Sequence, residues 1–248
     1  MKIIIYGVGG KMGRVLVNCI DGSEDTIACG VDKFADKSLF GFPVYSSAKD
    51  IKEDADVIID FSVREAIYDY LPYAVDKKIP CVIATTGFNE DETAYILNAS
   101  KDIPIFKTGN MSIGINLLLQ LAKIGAKALG KNADIEIIEQ HHNQKVDAPS
   151  GTALLLADGI KSVLGDSEYT FGRVGHTGKR KDNEIGIHAV RGGTIVGKHE
   201  VLFIMDNEVI TLKHEAESKG VFAYGSINAA RYIVRQSPGI YNMENMIS

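Results

Sequence analysis

Met1-Lys2-Ile3-Ile4-Ile5-Tyr6-Gly7-Val8-Gly9-Gly10-Lys11-Met12-Gly13 opens the chain, and its reading decides the fold. Ile3 to Tyr6 is an unbroken run of strand-forming residues, the pattern of a strand covered on both faces. Glycines follow at once, and Met12 to Ile20 has helical spacing. Glycine allows a tight turn and lets a phosphate approach the backbone, and a late glycine lets helix and strand pack closely. The strict G-x-G-x-x-G pattern fails at Met12, but Gly7, Gly10 and Gly13 fit the variant G-x-x-G-x-x-G. A glycine cluster alone is a weak signal. A strand before it and a helix after it supply the context of a dinucleotide-binding turn. Gly7, Val8, Gly9, Gly10, Lys11 and Met12 are therefore expected to hold cofactor, a purely structural turn being the alternative.

The same alternation continues outward. Thr26 to Val31, Val57 to Phe61, Pro80 to Ala84 and Ile103 to Lys107 read as strands. Helices are expected from Arg64 to Asp76 and from Glu90 to Ser100. Short apolar strands alternating with helices imply a parallel sheet covered on both faces. Asp32 ends the second strand, 19 residues after Gly13, where an acid accepts hydrogen bonds from the adenosine ribose. Lys33 beside it suits a 2′-phosphate, so both NADH and NADPH are expected; a solvated Asp-Lys turn is the plainer alternative. In an open parallel sheet ligands bind at the carboxyl ends of strands. That places Ala84, Thr85 and Thr86, and Thr108, Gly109, Asn110 and Met111, along the cofactor groove.

Near Asn110 the rhythm changes. Ile113 to Leu129 reads as one long helix, Ala133 to Gln140 as a strand, and Thr152 to Leu164 as a helix. Residues 165–183 are polar and partly basic and are expected as a mobile, solvated loop. Ile185 to Val190, Thr194 to Met205 and Glu208 to His214 read as strands, with Asp206-Asn207 as a tight turn between the last two. Phe222 to Arg235 reads as a closing helix.

The densest chemistry lies at Glu139-Gln-His-His-Asn-Gln-Lys-Val-Asp-Ala-Pro-Ser-Gly-Thr152. Ser150 is a natural N-cap, so the helix after it should aim its backbone N–H groups at the turn. A helix start beside His141, His142 and Lys145 suits an anion such as a carboxylate. An imidazole is also a proton donor suited to neutral pH. Zinc is disfavoured: adjacent strand residues point to opposite faces, and no Cys or further His lies nearby in sequence. Glu139 is expected as a structural acid at the strand end, and Asp147 as an orienting group. His188, His199 and His214 are expected as packed or interface histidines.

Composition narrows the classes. The 248 residues suffice for one large domain or two modest ones, and a net charge of −5 disfavours bulk nucleic-acid binding. No apolar run approaches the roughly 20 residues that span a bilayer. The N-terminal run is too short for a signal peptide and lacks a cleavage site. Cys19, Cys29 and Cys81 match no metal spacing, and a reducing cytoplasm is the natural setting. All six histidines lie beyond residue 140, so proton chemistry is expected in the second half.

The motifs together resemble the dihydrodipicolinate reductase family, now called 4-hydroxy-tetrahydrodipicolinate reductases, of lysine and diaminopimelate biosynthesis. The resemblance runs through Gly7–Gly13, Thr85-Thr86-Gly87-Phe88, Asn110-Met-Ser-Ile-Gly114, the Glu139–Thr152 block and Arg191-Gly-Gly-Thr-Ile-Val-Gly-Lys-His199. It implies NADH- or NADPH-dependent reduction of a cyclic dicarboxylate imine. His141 then matches the proton donor, Lys145 the essential lysine, and His142, Gly151 and Thr152 substrate contacts. It also implies an α/β architecture: a Rossmann-like dinucleotide-binding domain over 1–111 and 220–248, and an α+β domain with a mixed sheet over 112–219. That second domain would bind substrate and build a homotetramer. Ala84, Met111, Glu215 and Lys219 depart from residues usual in the family; Lys219 keeps a charge but not the bidentate fork of arginine. A sensor that binds cofactor without turnover is the competing class, but it has no need of the intact His141, His142, Lys145 and Thr152 set.

Overall fold

The computed structural model describes residues 1–247, with Lys131 described by its backbone alone. Two compact units divide the chain: Met1–Ser112 with Lys219–Ser248, and Ile113–Ser218. In the first unit the elements are β1 (Lys2–Tyr6), α1 (Lys11–Ile20), β2 (Thr26–Val31), β3 (Val44–Tyr45), β4 (Val57–Asp60), α2 (Ile67–Lys77), β5 (Cys81–Ile83), α3 (Glu90–Ala99) and β6 (Pro104–Lys107). After the second unit the chain returns to it with α6 (Gly220–Ile233), β12 (Gly239–Tyr241) and α7 (Met243–Ile247). The strands form one parallel sheet in the order β12-β6-β5-β4-β1-β2-β3. Ile3, Ile4 and Ile5 are fully buried, as a strand covered on both faces requires. Each such side chain contributes roughly 1.5–3 kcal/mol of burial. Cys29 and Cys81 lie in this core and are free thiols. The edge strands β3 and β12 were not expected from the sequence. Two and three residues carry too little periodicity to be seen.

The second unit contains α4 (Ile113–Leu129), β7 (Asp134–His141), α5 (Gly151–Leu164), β8 (Glu168–Phe171), β9 (Glu184–Arg191), β10 (Gly197–Ile204) and β11 (Val209–Ala216). Its sheet runs β11-β10-β7-β9-β8, and it is mixed: β10 is antiparallel to both β11 and β7, while β7, β9 and β8 are parallel. β7 alternates strictly, so Ile135, Ile137, Glu139 and His141 share the buried face. On β10, Gly197, His199, Val201 and Phe203 are buried in the same alternating way. The apolar members pack with Leu156, Ala157 and Ile160 of α5 and with α4. Toward the end of β7 and the start of β10 the buried set becomes polar, and there the site forms.

Residues 165–183 depart in part from the expectation of a mobile, solvated loop: most are exposed and without regular structure, but four form a strand. Glu168–Phe171 is an edge strand, β8, paired with β9. Four residues in a polar stretch were too few to register as a strand. Three of the basic residues around it are paired: Arg173 with Glu136 and Glu184, Arg180 with Asp134 and Glu136, Lys181 with Glu168. Glu136 also takes His188 Nε2 at 2.6 Å. Its carboxylate lies across Gly186, its register partner on β9, where an added Cβ would stand 1.8 Å from Glu136 Oε2.

Two other glycines are fixed by backbone contact. A Cβ at Gly13 would lie 2.2 Å from Gly7 O, and one at Gly225 on α6 would lie 1.7 Å from Met111 O. Backbone cannot yield as a flexible side chain does. Gly13→Ala and Gly225→Ala should each lose about 1–3 kcal/mol of stability in urea unfolding followed by circular dichroism. Gly41 meets nothing within 4 Å, and Gly41→Ala should stay within about 0.5 kcal/mol of the parent. Equal stability of all three variants would contradict the packing described.

Candidate active site

The turn between β1 and α1 is held by its own backbone. Gly7 N donates to Val31 O at 2.9 Å and Gly10 N to Gly7 O at 3.0 Å. Gly7 sits at φ +76°, in the left-handed region, and a Cβ there would meet Phe61 O at 2.5 Å. The N-cap of α1 is Gly10, which offers no side-chain oxygen, and the first turn holds no acid. The helix therefore begins with N–H groups that no capping side chain takes, the arrangement that suits a phosphate. These features fit a dinucleotide.

Two cavities border this turn. One, of about 620 Å³, is lined by Met12, residues 61–65 and Ala84, Thr85, Thr86 and Gly87. The other, of about 350 Å³, is lined by Gly7, Gly10, Asp32, Lys33, Phe34, Ser46 and Asp69 among others. Asp32 does more than border the cavity. Its Oδ2 accepts from Gly9 N at 3.0 Å, and its Oδ1 accepts from Phe34 N at 2.9 Å and Ala35 N at 3.1 Å. It joins the glycine turn to the end of β2. Thr108, Gly109, Asn110 and Met111 line neither cavity; Thr108 Oγ1 accepts from Asn110 N, and Met111 is buried beside Gly225.

Asp60, fully buried at the end of β4, had no distinguishing sequence signal. Its Oδ1 accepts the Ser62 N–H at 2.9 Å and the Ser62 hydroxyl, and its Oδ2 accepts the Tyr70 hydroxyl at 3.1 Å. Ser62 N also donates to Thr85 Oγ1 at 3.1 Å. Ser62 and Thr85 come from the two walls of the larger cavity, so this network ties the walls together. Burial pushes the Asp60 carboxyl upward against the pull of these neutral donors.

In the second unit Glu139 is the centre. It is fully buried, and its two oxygens receive four donors. Oε2 lies 2.6 Å from His141 Nδ1 and accepts from Arg191 Nη1 at 2.7 Å. Oε1 accepts from Arg191 Nη2 at 2.7 Å and from Ser150 N at 3.0 Å. Burial alone would raise this carboxyl, but Arg191, His141 and Ser150 together hold it below the usual range. Ser150 caps α5 by accepting from Ala153 N at 3.2 Å, and its Oγ lies 3.2 Å from His199 Nε2. The His199 and His141 rings meet edge to face, 5.2 Å between centroids. Burial, and then the proximity of His141, push His199 down to about 3.

The other expected residues surround this centre. Lys145 Nζ pairs with Asp147 Oδ1 at 2.8 Å, and the bond holds Asp147 below the usual carboxylate range. His142 is half-buried, and its buried Nδ1 has no hydrogen-bond partner among the described residues. Gly151, exposed, and Thr152, half-buried, begin α5 directly after the cap. Glu139 has a larger part than the strand-end acid expected of it, and Arg191 joins it across the sheet. The β7–β9 register sets Arg191 opposite His141, a pairing 50 residues apart in the chain that no local pattern announces. Among the described residues no group of His, Cys, Asp and Glu is arranged to hold a metal ion, and no helix is long and apolar enough to cross a membrane.

His199 makes stability depend on pH. Its folded value lies below the unfolded one near 6.5, so the unfolded chain binds the extra proton. Stability should therefore fall as pH drops through the window from 6.5 toward 3, by up to about 1.4 kcal/mol per pH unit. The chain has no Trp, so urea unfolding is best followed by circular dichroism. Between pH 6 and 5 the parent should lose more stability than His199→Phe; parallel slopes would show that His199 titrates normally.

Comparison with known proteins bears on both units. Residues 1–111 match the family described as "Dihydrodipicolinate reductase, N-terminus", and residues 114–247 match "Dihydrodipicolinate reductase, C-terminus". The 4-hydroxy-tetrahydrodipicolinate reductase of Caldanaerobacter subterraneus subsp. tengcongensis is 52% identical, the match covering 100% of this chain and 98% of that one. That of Clostridium tetani is 47% identical, with 100% and 97% covered. Among solved structures, the dipicolinate-bound dihydrodipicolinate reductase of Paenisporosarcina sp. TG-14 superposes with a TM-score of 0.82. It is 24% identical, with 100% and 99% of the two chains covered, and it shares the fold. The chain belongs to the dihydrodipicolinate reductase family.

Proposed function

We infer that this protein is a 4-hydroxy-tetrahydrodipicolinate reductase of lysine biosynthesis, an oxidoreductase whose first unit binds a dinucleotide. The observation that supports this most directly is the carboxylate-backed His141 beside Lys145 and the start of α5. The net reaction removes water from the 4-hydroxy compound and adds a hydride and a proton to the resulting ring. NADH or NADPH supplies the hydride. The glycine turn and the start of α1 hold the cofactor's diphosphate, and Ala84, Thr85 and Thr86 line the larger cavity.

His141 carries the proton and delivers it to the substrate from its imidazole. Lys145 and the N–H groups at Gly151 and Thr152 receive a substrate carboxylate. Asp147 holds Lys145 in place until that carboxylate takes over the ammonium. His142 is a further substrate contact in this reading. His199, kept neutral, spares the site a second positive charge beside His141.

The two principal residues should fail differently. Lys145→Ala removes a ground-state contact and should raise KM and lower kcat together. His141→Gln should lower kcat by about 10²–10⁴-fold with a smaller change in KM. Cofactor Kd, read by NADPH fluorescence, should survive both changes. Steady-state oxidation of NADPH with freshly formed substrate makes the measurement, and near-normal kcat in both variants would remove this reading.

Cofactor choice should be relaxed, with kcat/KM for NADH and NADPH within roughly 30-fold, since one exposed charge contact is worth about 1–2 kcal/mol. Asp32→Ala removes a ribose acceptor and also the acceptor of Gly9 N. It should weaken both cofactors and NADH more, moving the ratio toward NADPH. An unchanged ratio would place the ribose acid elsewhere.

A further inference from the structure

The reductase reading assigns His141 a proton but leaves open which ring nitrogen moves it. The two nitrogens have different surroundings. Nδ1 lies 2.6 Å from the Glu139 carboxylate, whose oxygens receive only donors: His141, both terminal nitrogens of Arg191, and the Ser150 N–H. Three of those donors are hydrogen-bearing in every state of the site. An unprotonated Nδ1 would set its lone pair against a carboxylate oxygen at 2.6 Å. Glu139 itself is held in its charged form, since Arg191, His141 and Ser150 outweigh the cost of burial.

Nε2 faces a different neighbour. A Cβ added at Gly197 would stand 3.1 Å from it. Gly197 is buried on β10 two residues before His199, so the absent side chain is what leaves room at that nitrogen. The imidazole is otherwise enclosed: His141 is 9% exposed, the His199 ring stands edge-on to it, and its own carbonyl accepts from Gly192 N at 2.9 Å.

We propose that Glu139 is the positioning residue of this site: it keeps the proton on His141 Nδ1 and leaves Nε2 as the atom that gives and regains the transferred proton. This rests on the reductase reading and names the atom through which it works. The step balances simply. The Nε2–H bond breaks, its proton goes to the substrate, and the imidazole is left neutral with Nδ1–H still bonded to Glu139; a solvent proton then reloads Nε2. Glu139 is never protonated in the cycle, because Arg191 and Ser150 keep its remaining lone pairs occupied. The same carboxylate fixes the start of α5 through Ser150 N. One group therefore sets both the donor atom and the helix start that receives the substrate carboxylate.

The test reads the tautomer directly. Nitrogen-15 chemical shifts of His141 in the full-length protein, at a pH where the ring is neutral, should show Nδ1 bearing hydrogen and Nε2 bare. Finding hydrogen on Nε2 in the parent protein would overturn the proposal without any variant. Glu139→Gln should lose the fixed tautomer and lower kcat on the order of 10²–10⁴-fold, with KM changed less than about 3-fold. Arg191→Met removes the ion pair but not the Glu139–His141 bond, and it should retain the Nδ1–H form. If Glu139 served only to neutralise Arg191, the tautomer would be the same in the parent and in both variants, and that result would also overturn the proposal. Because the tautomer is read without turnover, the two readings fail distinguishably: an inactive parent with Nδ1–H removes the reductase assignment and with it the transferred proton, and an active parent with Nε2–H removes the positioning role alone.

Discussion

A carboxylate shut away from water must be surrounded by donors, and at Glu139 those donors come from three separate stretches of chain. His141 is its neighbour on the same strand face, Arg191 arrives from the parallel partner strand, and Ser150 comes from the cap of the following helix. The register of β7 with β9 and the placing of α5 on the sheet both feed this one point. Breaking it would cost the half-buried Arg191 its bidentate carboxylate, a larger loss than that of an ordinary neutral hydrogen bond. The polar end of an otherwise apolar core is thus pinned as firmly as the apolar part. Rigidity of that kind suits a group that must present one nitrogen in one direction.

Asp60 in the first unit offers a contrast. It too is a buried acid at the end of a strand, but its partners are hydroxyls and a backbone N–H, with no cation among them. Burial wins there, and the carboxyl is pushed up; at Glu139 the guanidinium wins, and it is pulled down. The two acids do different work. One joins the walls of a cavity, and the other keeps a charge next to an imidazole.

The parallel sheet was legible because Ile3–Ile5, Ile58–Ile59 and Val82–Ile83 are apolar runs with glycine or polar punctuation, and fully buried strands have little other way to read. The helix start at Ser150 was legible because capping is local chemistry. What stayed hidden was non-local. Arg191 was visible as a residue but not as the partner of Glu139, since strand register is decided by the assembled sheet. β8 has no legible signal because its four residues lie in a polar stretch whose charges pair with residues distant in sequence or with the strand's own Glu168. Glu139 read as a structural acid, which it is; its contact with His141 needed the alternation of β7 to be known as fact.

Glu136 and Gly186 lead to an evolutionary reading. The carboxylate occupies the space that any side chain at 186 would need, while holding Arg173, Arg180 and His188. Neither position is free to drift alone. A larger residue at 186 must displace the acid at 136 or follow its shortening, and either change leaves Arg173 to Glu184, Arg180 to Asp134 and His188 without its carboxylate. The order in which substitutions can accumulate on this side of the sheet is therefore constrained, and descendants of this sequence should keep or exchange the pair together.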